Sequence, residues 1–393
     1  MLLVGYCFGI RAERRLCDEV HLNLAYRWFC RLGLDGNVPD HSTFSKNRHG
    51  RFRQSDLLRQ LFEAVVRRCI SEGLVGGEGF AVDASLIKAD ANRQRCVPGT
   101  QGLPPEAASR AIDEYLAALD DAAFGAATPV TPKFISPADP GSRWTSANKG
   151  LAFFAYCTNY LMDLDHAVIV DVEASTAVRP AELTAAWTMI ERVREQHDLS
   201  PQRLSADSAY GSAEMLDWLV NDQDIEPHIP VIDKSERVDR AFSRRDFTYD
   251  AKADLYRCPG GKELKQHRRA FRIDHPDVPP DDTYRYRASK ADCDACSLRS
   301  RCCPKTPARK VTARSTKRAD RAREIATTDA YIVSRRERKK VEMLFAHLKR
   351  ILKLDRLRLR GPRGTRDEFL LAATAQNLRK LAKLIPPPAI AIA

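Results

Sequence analysis

The 393-residue chain has no run approaching the about 18 consecutive apolar residues of a membrane helix, and its mean hydropathy is −0.42, which excludes a polytopic membrane protein. The apolar opening Met1 to Ile10 has no basic segment before it, and Arg11, Arg14 and Arg15 follow at once where a cleavage site would need small residues. No signal peptide is read there, and a cytoplasmic, nucleoid-associated location is expected. Internal repeats are absent, and low complexity is confined to an apolar, Pro-rich tail, which excludes solenoids and repeat arrays. With 44% apolar and 30% charged residues, wholesale disorder is excluded as well.

What is present begins with charge. The net charge is +12, but residues 301 to 380 alone carry 24 Lys or Arg against 8 Asp or Glu, so the rest of the chain is mildly acidic. A positive region of that density suits a polyanion, nucleic acid first, because neutralised phosphates release counterions; a solvated basic surface is the plainer alternative. The 11 cysteines are an odd number, and without an export signal their thiols stay reduced, which favours metal binding over a disulfide framework.

Periodicity divides the chain into parts. Residues 12 to 33 and 54 to 73 read as helices around a polar loop, with Ser42 or Thr43 placed to cap a short helix between them, and 1–75 is taken as a helical N-terminal domain. Residues 76–233 hold the strand-like Phe80 to Asp83, a Pro/Gly/Ala-rich surface excursion over 95 to 142 with a helix near Glu106 to Leu119, and two long strands, Leu151 to Asp163 and Ala167 to Ala174. A helix from Pro180 to Gln196, a strand at Arg203 to Ala206, a helix at Ser212 to Val220 and a strand at Glu226 to Ile232 follow. Strand pairs succeeded by alternating helix and strand indicate an α/β fold with a mixed sheet and flanking helices. Residues 234–328 interrupt this order as a Cys-containing insertion; helices at 329 to 354 and 367 to 384 complete the core over 329–385, ahead of the tail 386–393.

Asp83 and Asp207 each end an apolar strand. A carboxylate at a strand end stays near solvent while the sheet holds it rigidly, which suits a divalent-metal ligand, although a turn or capping role is the commoner use of a single Asp. Glu342 belongs to the helix Arg335 to Arg350. At about 100° per residue, Val341, Leu344, Leu348 and Leu352 form its buried stripe, while Arg338, Glu342, Phe345 and Lys349 fall within roughly 60° of one another. Arg338 and Lys349 are then available for phosphate oxygens; an i,i+4 ion pair between Arg338 and Glu342 is the simpler reading.

The pattern Ala81-Val-Asp83, Ala206-Asp-Ser-Ala-Tyr-Gly211 and Arg338-x3-Glu342-x6-Lys349 resembles the signature of bacterial insertion-sequence transposases of the DDE (Asp-Asp-Glu) type. Leu2 to Phe52, with Ala25-Tyr-Arg-Trp-Phe29 and Pro39-Asp-His-Ser-Thr43, is similar to their helical N-terminal domain, and Val341 to Arg350 to the helix bearing their glutamate. The resemblance implies a ribonuclease-H-like core in which Asp83, Asp207 and Glu342 hold two Mg²⁺ (or Mn²⁺) ions for DNA cleavage and strand transfer. It further implies double-stranded DNA partners, the terminal inverted repeats and a target, contacted by Arg338, Lys349, Arg350 and Tyr210, with a homodimer on the paired ends. Two departures stand out. Many relatives begin with a further helical stretch, so the N-terminal domain is expected to be shortened, and Arg335 occupies the place where some carry a tyrosine. A metal-dependent nuclease with the same core, and a truncated or domesticated product that binds DNA without catalysis, are the competing readings.

In the insertion, Cys258, Cys293, Cys296 and Cys302 form a C-x34-C-x2-C-x5-C arrangement suited to a closed tetrahedral Zn²⁺ site, with Cys302 favoured over Cys303 and unpaired thiols as the alternative. Cys7, Cys17, Cys30, Cys69, Cys96 and Cys157 have no ligand spacing and read as small, mostly buried residues. Weaker DNA-contact candidates are Trp144, Lys149 and the run Leu359 to Gly364 with Arg363, the last equally readable as a helix-ending loop. His347 falls on the far flank of the buried stripe from Glu342 and is given no catalytic role.

Overall fold

The computed structural model describes residues 1–146, 150–231, 242–243, 246–250, 253–266, 283–314, 322 and 324–385. The expectations for Lys149, for the strand end at Ile232 and for the tail 386–393 lie outside the described residues. Two compact units are distinguished, one of residues 1–207, 224–228 and 329–393, the other of 208–223 and 229–328.

The first unit is built on a mixed sheet. Its strands are β1 (Gly79–Lys88), β2 (Arg143–Thr145), β3 (Phe153–Asp163), β4 (Ile169–Thr176), β5 (Arg203–Ser205) and β6 (Glu226–His228). They run in the order β2-β3-β1-β5-β6, with β4 beside β2 along the outer side of β3. β1, β3 and β4 are antiparallel neighbours, whereas β1, β5 and β6 are parallel. Alternation along the strands gives each face its own lining. Ala81, Ile87, Tyr160 and Met162 pack on helices α5 (Leu57–Ser71), α8 (Lys339–Arg350) and α9 (Gly361–Leu384). Phe80, Val82 and Leu161, wholly buried, point to the other face, where α6 (Arg179–His197) lies along β3 and β4 with Pro180 in its first turn.

Side chains that compete for backbone partners explain where helices end differently from the periodicity. The helix expected over 12 to 33 is two, α2 (Glu13–Leu22) and α3 (Leu24–Phe29), because Asn23 is extended and its Oδ1 accepts the Ala25 and Tyr26 N–H groups at 3.0 and 3.2 Å. Before them lies α1 (Leu2–Cys7), and after them α4 (His41–His49), whose cap is Asp40, not Ser42 or Thr43: its Oδ1 accepts the Ser42 N–H at 2.8 Å. The helix expected over 329 to 354 divides at Arg338 into α7 (Asp329–Glu337) and α8.

Two expectations are corrected in the connecting segments. The excursion over 95 to 142 is not a surface appendage, since Ile112, Phe124 and Asp139 are buried and Phe124 joins the main core. Its helix is short, Arg110–Leu116, started by the Ser109 hydroxyl. The run Leu359 to Gly364 opens α9 rather than ending a helix. Its amides are taken: Gly361 N–H donates to Asp139 Oδ1 and Arg363 N–H to Glu114 Oε2, both at 3.2 Å, so they are not free for phosphate. Gly361 has φ +83°, and a Cβ there would meet Glu114 Oε2 at 2.5 Å, so glycine is required.

The N-terminal helices share the core of α9. Glu368, buried in α9, accepts from the Tyr6 hydroxyl, from the Arg11 guanidinium and from the Arg358 and Leu359 N–H groups. The second unit centres on a five-stranded antiparallel sheet formed by Thr248–Asp250, Leu255–Arg257, Glu263–Gln266, Thr283–Arg287 and Lys310–Arg314. Tyr256, Leu264, Tyr286 and Val311 fill one side of it.

Candidate functional site

The two aspartates are set by the sheet. β5 pairs with β1 only from Gly79↔Arg203 through Ala81↔Ser205, and among the described residues β1 then has no partner on this side until Lys88, which bridges to Arg356. Asp83 and Asp207 each lie two residues past the last pair, with the same sequence offset, so the ladder opens with Asp83 inside β1 and Asp207 just beyond the end of β5. β1 changes there from fully buried to half-buried, which gives a rigid yet accessible position.

Asp83 carries the electrostatic signature of that position. Burial pushes its carboxyl up to about 6; the Ala84 N–H, donating to Oδ1 at 2.8 Å, and Arg338 act against the rise, while Asp207 and Glu182 add to it. Arg338 Nη1 lies 4.0 Å from Asp83 Oδ2. Between α7 and α8, therefore, the guanidinium faces the strand carboxylate, not an i,i+4 partner on its own helix.

Glu182 is the carboxylate that the sequence reading missed. In the first turn of α6, it accepts the buried Cys157 thiol at 3.1 Å and is held above the usual carboxyl range by burial, with Asp207 adding to the effect. The signal was present as an acid two residues after the helix-initiating Pro180, but an acid in a first turn reads simply as a complement to the helix dipole.

Glu342 lies beside the buried stripe of α8, not on it. Of the residues on its side, Arg338 faces Asp83, and Phe345 stacks on Tyr160 with ring centroids 5.0 Å apart; Tyr160 pairs directly with Asp83. Glu342 is itself exposed. Lys349 is half-buried, its ammonium pKa lowered by burial although Asp355 and Cys157 oppose the shift, and Arg350 is exposed. Tyr210 is buried in the second unit instead of being displayed at a surface. Trp144 is taken up by an edge-on aromatic cluster with Phe134 and Phe154, at 5.7 and 5.1 Å, under the Arg93 guanidinium.

In the second unit the five late cysteines gather. A Cβ on Gly260 would lie 3.3 Å from Cys296 Sγ and 3.7 Å from Cys258 Sγ, and Cys293, Cys302 and Cys303 share one buried cluster against which Cys258 packs. Burial, reinforced by Cys303, Cys258 and Cys293, pushes the Cys302 thiol up to about 11. All five are free thiols. Among the described residues, no three His, Cys, Asp or Glu side chains are arranged as a metal-holding group, at either the carboxylates or the cysteines.

Comparison with protein families matches residues 1–50 to a transposase domain (DUF772) and residues 257–382 to a transposase DDE domain. Both matches are consistent with an insertion-sequence DDE transposase. The DDE match contains Glu342, Lys349 and the late cysteines, while Asp83 and Asp207 precede it. No solved structure matches the chain. A DDE transposase domain belongs to an enzyme of DNA transposition in mobile elements and implies use of divalent metal. Among the described residues, no helix is long and apolar enough to cross a membrane.

Proposed function

We propose that the chain catalyses metal-dependent cleavage of DNA at the terminal inverted repeats of an insertion sequence and joins the ends to target DNA. The observation that carries this reading is the placement of Asp83 and Asp207 side by side where the β1–β5 ladder opens, with Arg338 against Asp83. An antiparallel meander continued by parallel strands, with carboxylates at its open edge, supports a ribonuclease-H-like core.

Asp83, Asp207 and Glu342 are the residues assigned to hold Mg²⁺ or Mn²⁺. The oxygen-only donor set fits a hard cation. Two such ions supply activation of the attacking oxygen and neutralisation of the leaving one. The chain's own residues position the strand: Arg338 beside Asp83 and Lys349 farther along the same helix face take phosphate oxygens, with Arg350 on the exposed side. Water or a DNA 3′-hydroxyl attacks phosphorus in line and gives its proton to solvent, while the P–O3′ bond breaks and O3′ leaves as a hydroxyl on taking a proton from solvent. Cys258, Cys293, Cys296 and Cys302 are assigned a structural Zn²⁺, for which four thiolates are the fitting donors.

The test is a cleavage and strand-transfer assay on the flanking inverted repeats with Mg²⁺, comparing wild type with Asp83→Asn, Asp207→Asn and Glu342→Gln. Products from wild type alone, with duplex binding retained by all three variants, are expected. Cleavage without joining of a pre-cut end supports a nuclease instead, and salt-sensitive binding with no product from any protein supports a non-catalytic DNA binder.

A further inference from the structure

The helix that precedes α8 is seated on the sheet one step before the carboxylates. β1, β5 and β6 are parallel neighbours, and Ala81, Ser205 and His228 form one rung across them. Asp83 lies two residues farther along β1, so side-chain alternation turns it to the same face as Ser205 and His228. Asp207 follows Ser205 by the same two residues.

Ser334 of α7, wholly buried, meets that rung. Its hydroxyl and Nδ1 of the buried His228 are 2.7 Å apart, and its carbonyl accepts the Ser205 hydroxyl at 3.5 Å. The other imidazole nitrogen, Nε2, lies 3.8 Å from the carboxylate of the exposed Glu226. That carboxylate favours the proton on Nε2 and leaves Nδ1 to accept from Ser334. Tyr331, three residues before Ser334, packs its ring on the imidazole with centroids 6.0 Å apart.

The Ser334 carbonyl also accepts the Arg338 N–H at 2.9 Å, one helical turn later. Four helical residues advance the chain about 6 Å, and two residues of strand advance it about 6.6 Å. Seating Ser334 on the His228 rung therefore brings Arg338 level with Asp83, where its guanidinium stands 4.0 Å from Oδ2. Arg203 and Glu337, 3.7 Å apart and both partly exposed, tie α7 to β5 more weakly.

We propose that His228 and Ser334 are positioning residues: their buried hydrogen bond locks α7 on the sheet at the register that presents Arg338 to Asp83 and begins α8 beside it. Neither residue touches the reacting atoms. The inference rests on the proposed transposase reaction for the activity that suffers when the lock is lost, while the lock itself is a property of the fold. An imidazole that merely filled the core could be exchanged for leucine without consequence for the site.

Hydrogen exchange of the full chain, followed by mass spectrometry on peptides within residues 329–342, reads the lock without metal or DNA. His228→Leu and Ser334→Ala are expected to exchange about tenfold faster there than wild type, with peptides of α6 unchanged. His228→Asn, whose Oδ1 replaces Nδ1 as acceptor, should restore the wild-type rate. In the Mg²⁺ cleavage assay the first two variants should lose about tenfold or more in kcat with KM for DNA within about twofold, and His228→Asn should recover most of the loss. Combining His228→Leu with Ser334→Ala should cost no more than either change alone, since both remove one bond. If His228→Leu fails to fold, Ser334→Ala, which removes a single oxygen, carries the test. Unchanged exchange over 329–342 in Ser334→Ala overturns the proposal. So do exchange that rises equally in every helix, a His228→Asn protein no better than His228→Leu, and full turnover by a variant whose exchange is raised. A wild type that makes no product overturns the transposase reading instead, and the exchange rates then decide the lock by themselves.

Discussion

Phe345 stacks on Tyr160 at an interplanar angle of 18°, and Tyr160 is the residue that β3 sets directly opposite Asp83. One aromatic pair therefore couples the helix carrying Glu342 to the strand carrying the first aspartate. Both rings lie in the main core, so truncation removes packing and leaves a cavity. Phe345→Ala is expected to cost about 3 kcal/mol in denaturant unfolding and Phe345→Leu about half of that. Cleavage should fall in the alanine variant even at temperatures where it stays folded, because α8 loses its seat over β1; undiminished cleavage would show that this stack does not position the helix.

Arg338 acts on Asp83 as a charge. Burial holds the Asp83 carboxyl near 6, and the guanidinium 4.0 Å away opposes a further rise. A metal ligand must be deprotonated, so cleavage should climb with pH through about 6 in the wild type. In Arg338→Gln, the opposing charge is gone, the carboxyl moves higher, and the acid limb of the pH–rate profile shifts to higher pH. An unshifted limb with a lower plateau would assign Arg338 to phosphate binding alone.

How much of this was legible in the sequence depends on what fixes each feature. Asp207 lies just past an apolar strand, β5, as its sequence suggests, whereas Asp83 does not end its strand: β1 runs on to Lys88, and it is the neighbouring β5 that stops, which no local pattern encodes. The stripe of α8 was readable from its period, which placed Arg338, Glu342 and Phe345 on one side. Glu182 was not, because its relation to Asp207 depends on α6 beginning at the same edge of the sheet, a long-range matter that no local pattern encodes. The burial of Phe124 and Asp139 was hidden for a similar reason: Pro, Gly and Ala suggest a surface segment until α9 supplies a surface to pack on. Asn23, by contrast, broke a helix by purely local hydrogen bonds, and its preference for a cap was available in the sequence.

Asp139 gives a stability prediction with a definite sign. It is wholly buried, accepts the Tyr156 hydroxyl at 2.5 Å and the Gly361 N–H, and is pushed up to about 7 chiefly by burial. The folded chain thus holds a proton that the unfolded chain releases near 3.8. The contribution is fully present below that value and is lost as pH rises to about 7. Thermal unfolding should therefore show stability declining from pH 5 to pH 8 through this residue, about two decades of proton linkage at most. Asp139→Asn keeps an acceptor for Tyr156 and Gly361 and should flatten that decline; an unchanged slope would place the linkage elsewhere.

The cysteines divide into two chemical groups, and that division makes the metal assignment testable. Cys258 and Cys296 face each other across Gly260, and Cys302 is raised by Cys303, Cys258 and Cys293, so thiols distant in sequence converge in one small unit. Cys7, Cys17, Cys30, Cys69, Cys96 and Cys157 belong to the other unit. Elemental analysis of purified protein should find about one zinc per chain, lost in Cys293→Ser with Cys296→Ser and kept in Cys96→Ser. Cys302→Ser should lose the metal and Cys303→Ser keep it, because the five-residue spacing from Cys296 places Cys302 in the ligand set. Chelation should lower the unfolding temperature of the wild type and leave that of the double serine variant unaltered, since metal binding to a folded site is itself folding free energy. Zinc retained by Cys302→Ser but not by Cys303→Ser would exchange the two, and no zinc in the wild type would leave the cluster as packed, reduced thiols.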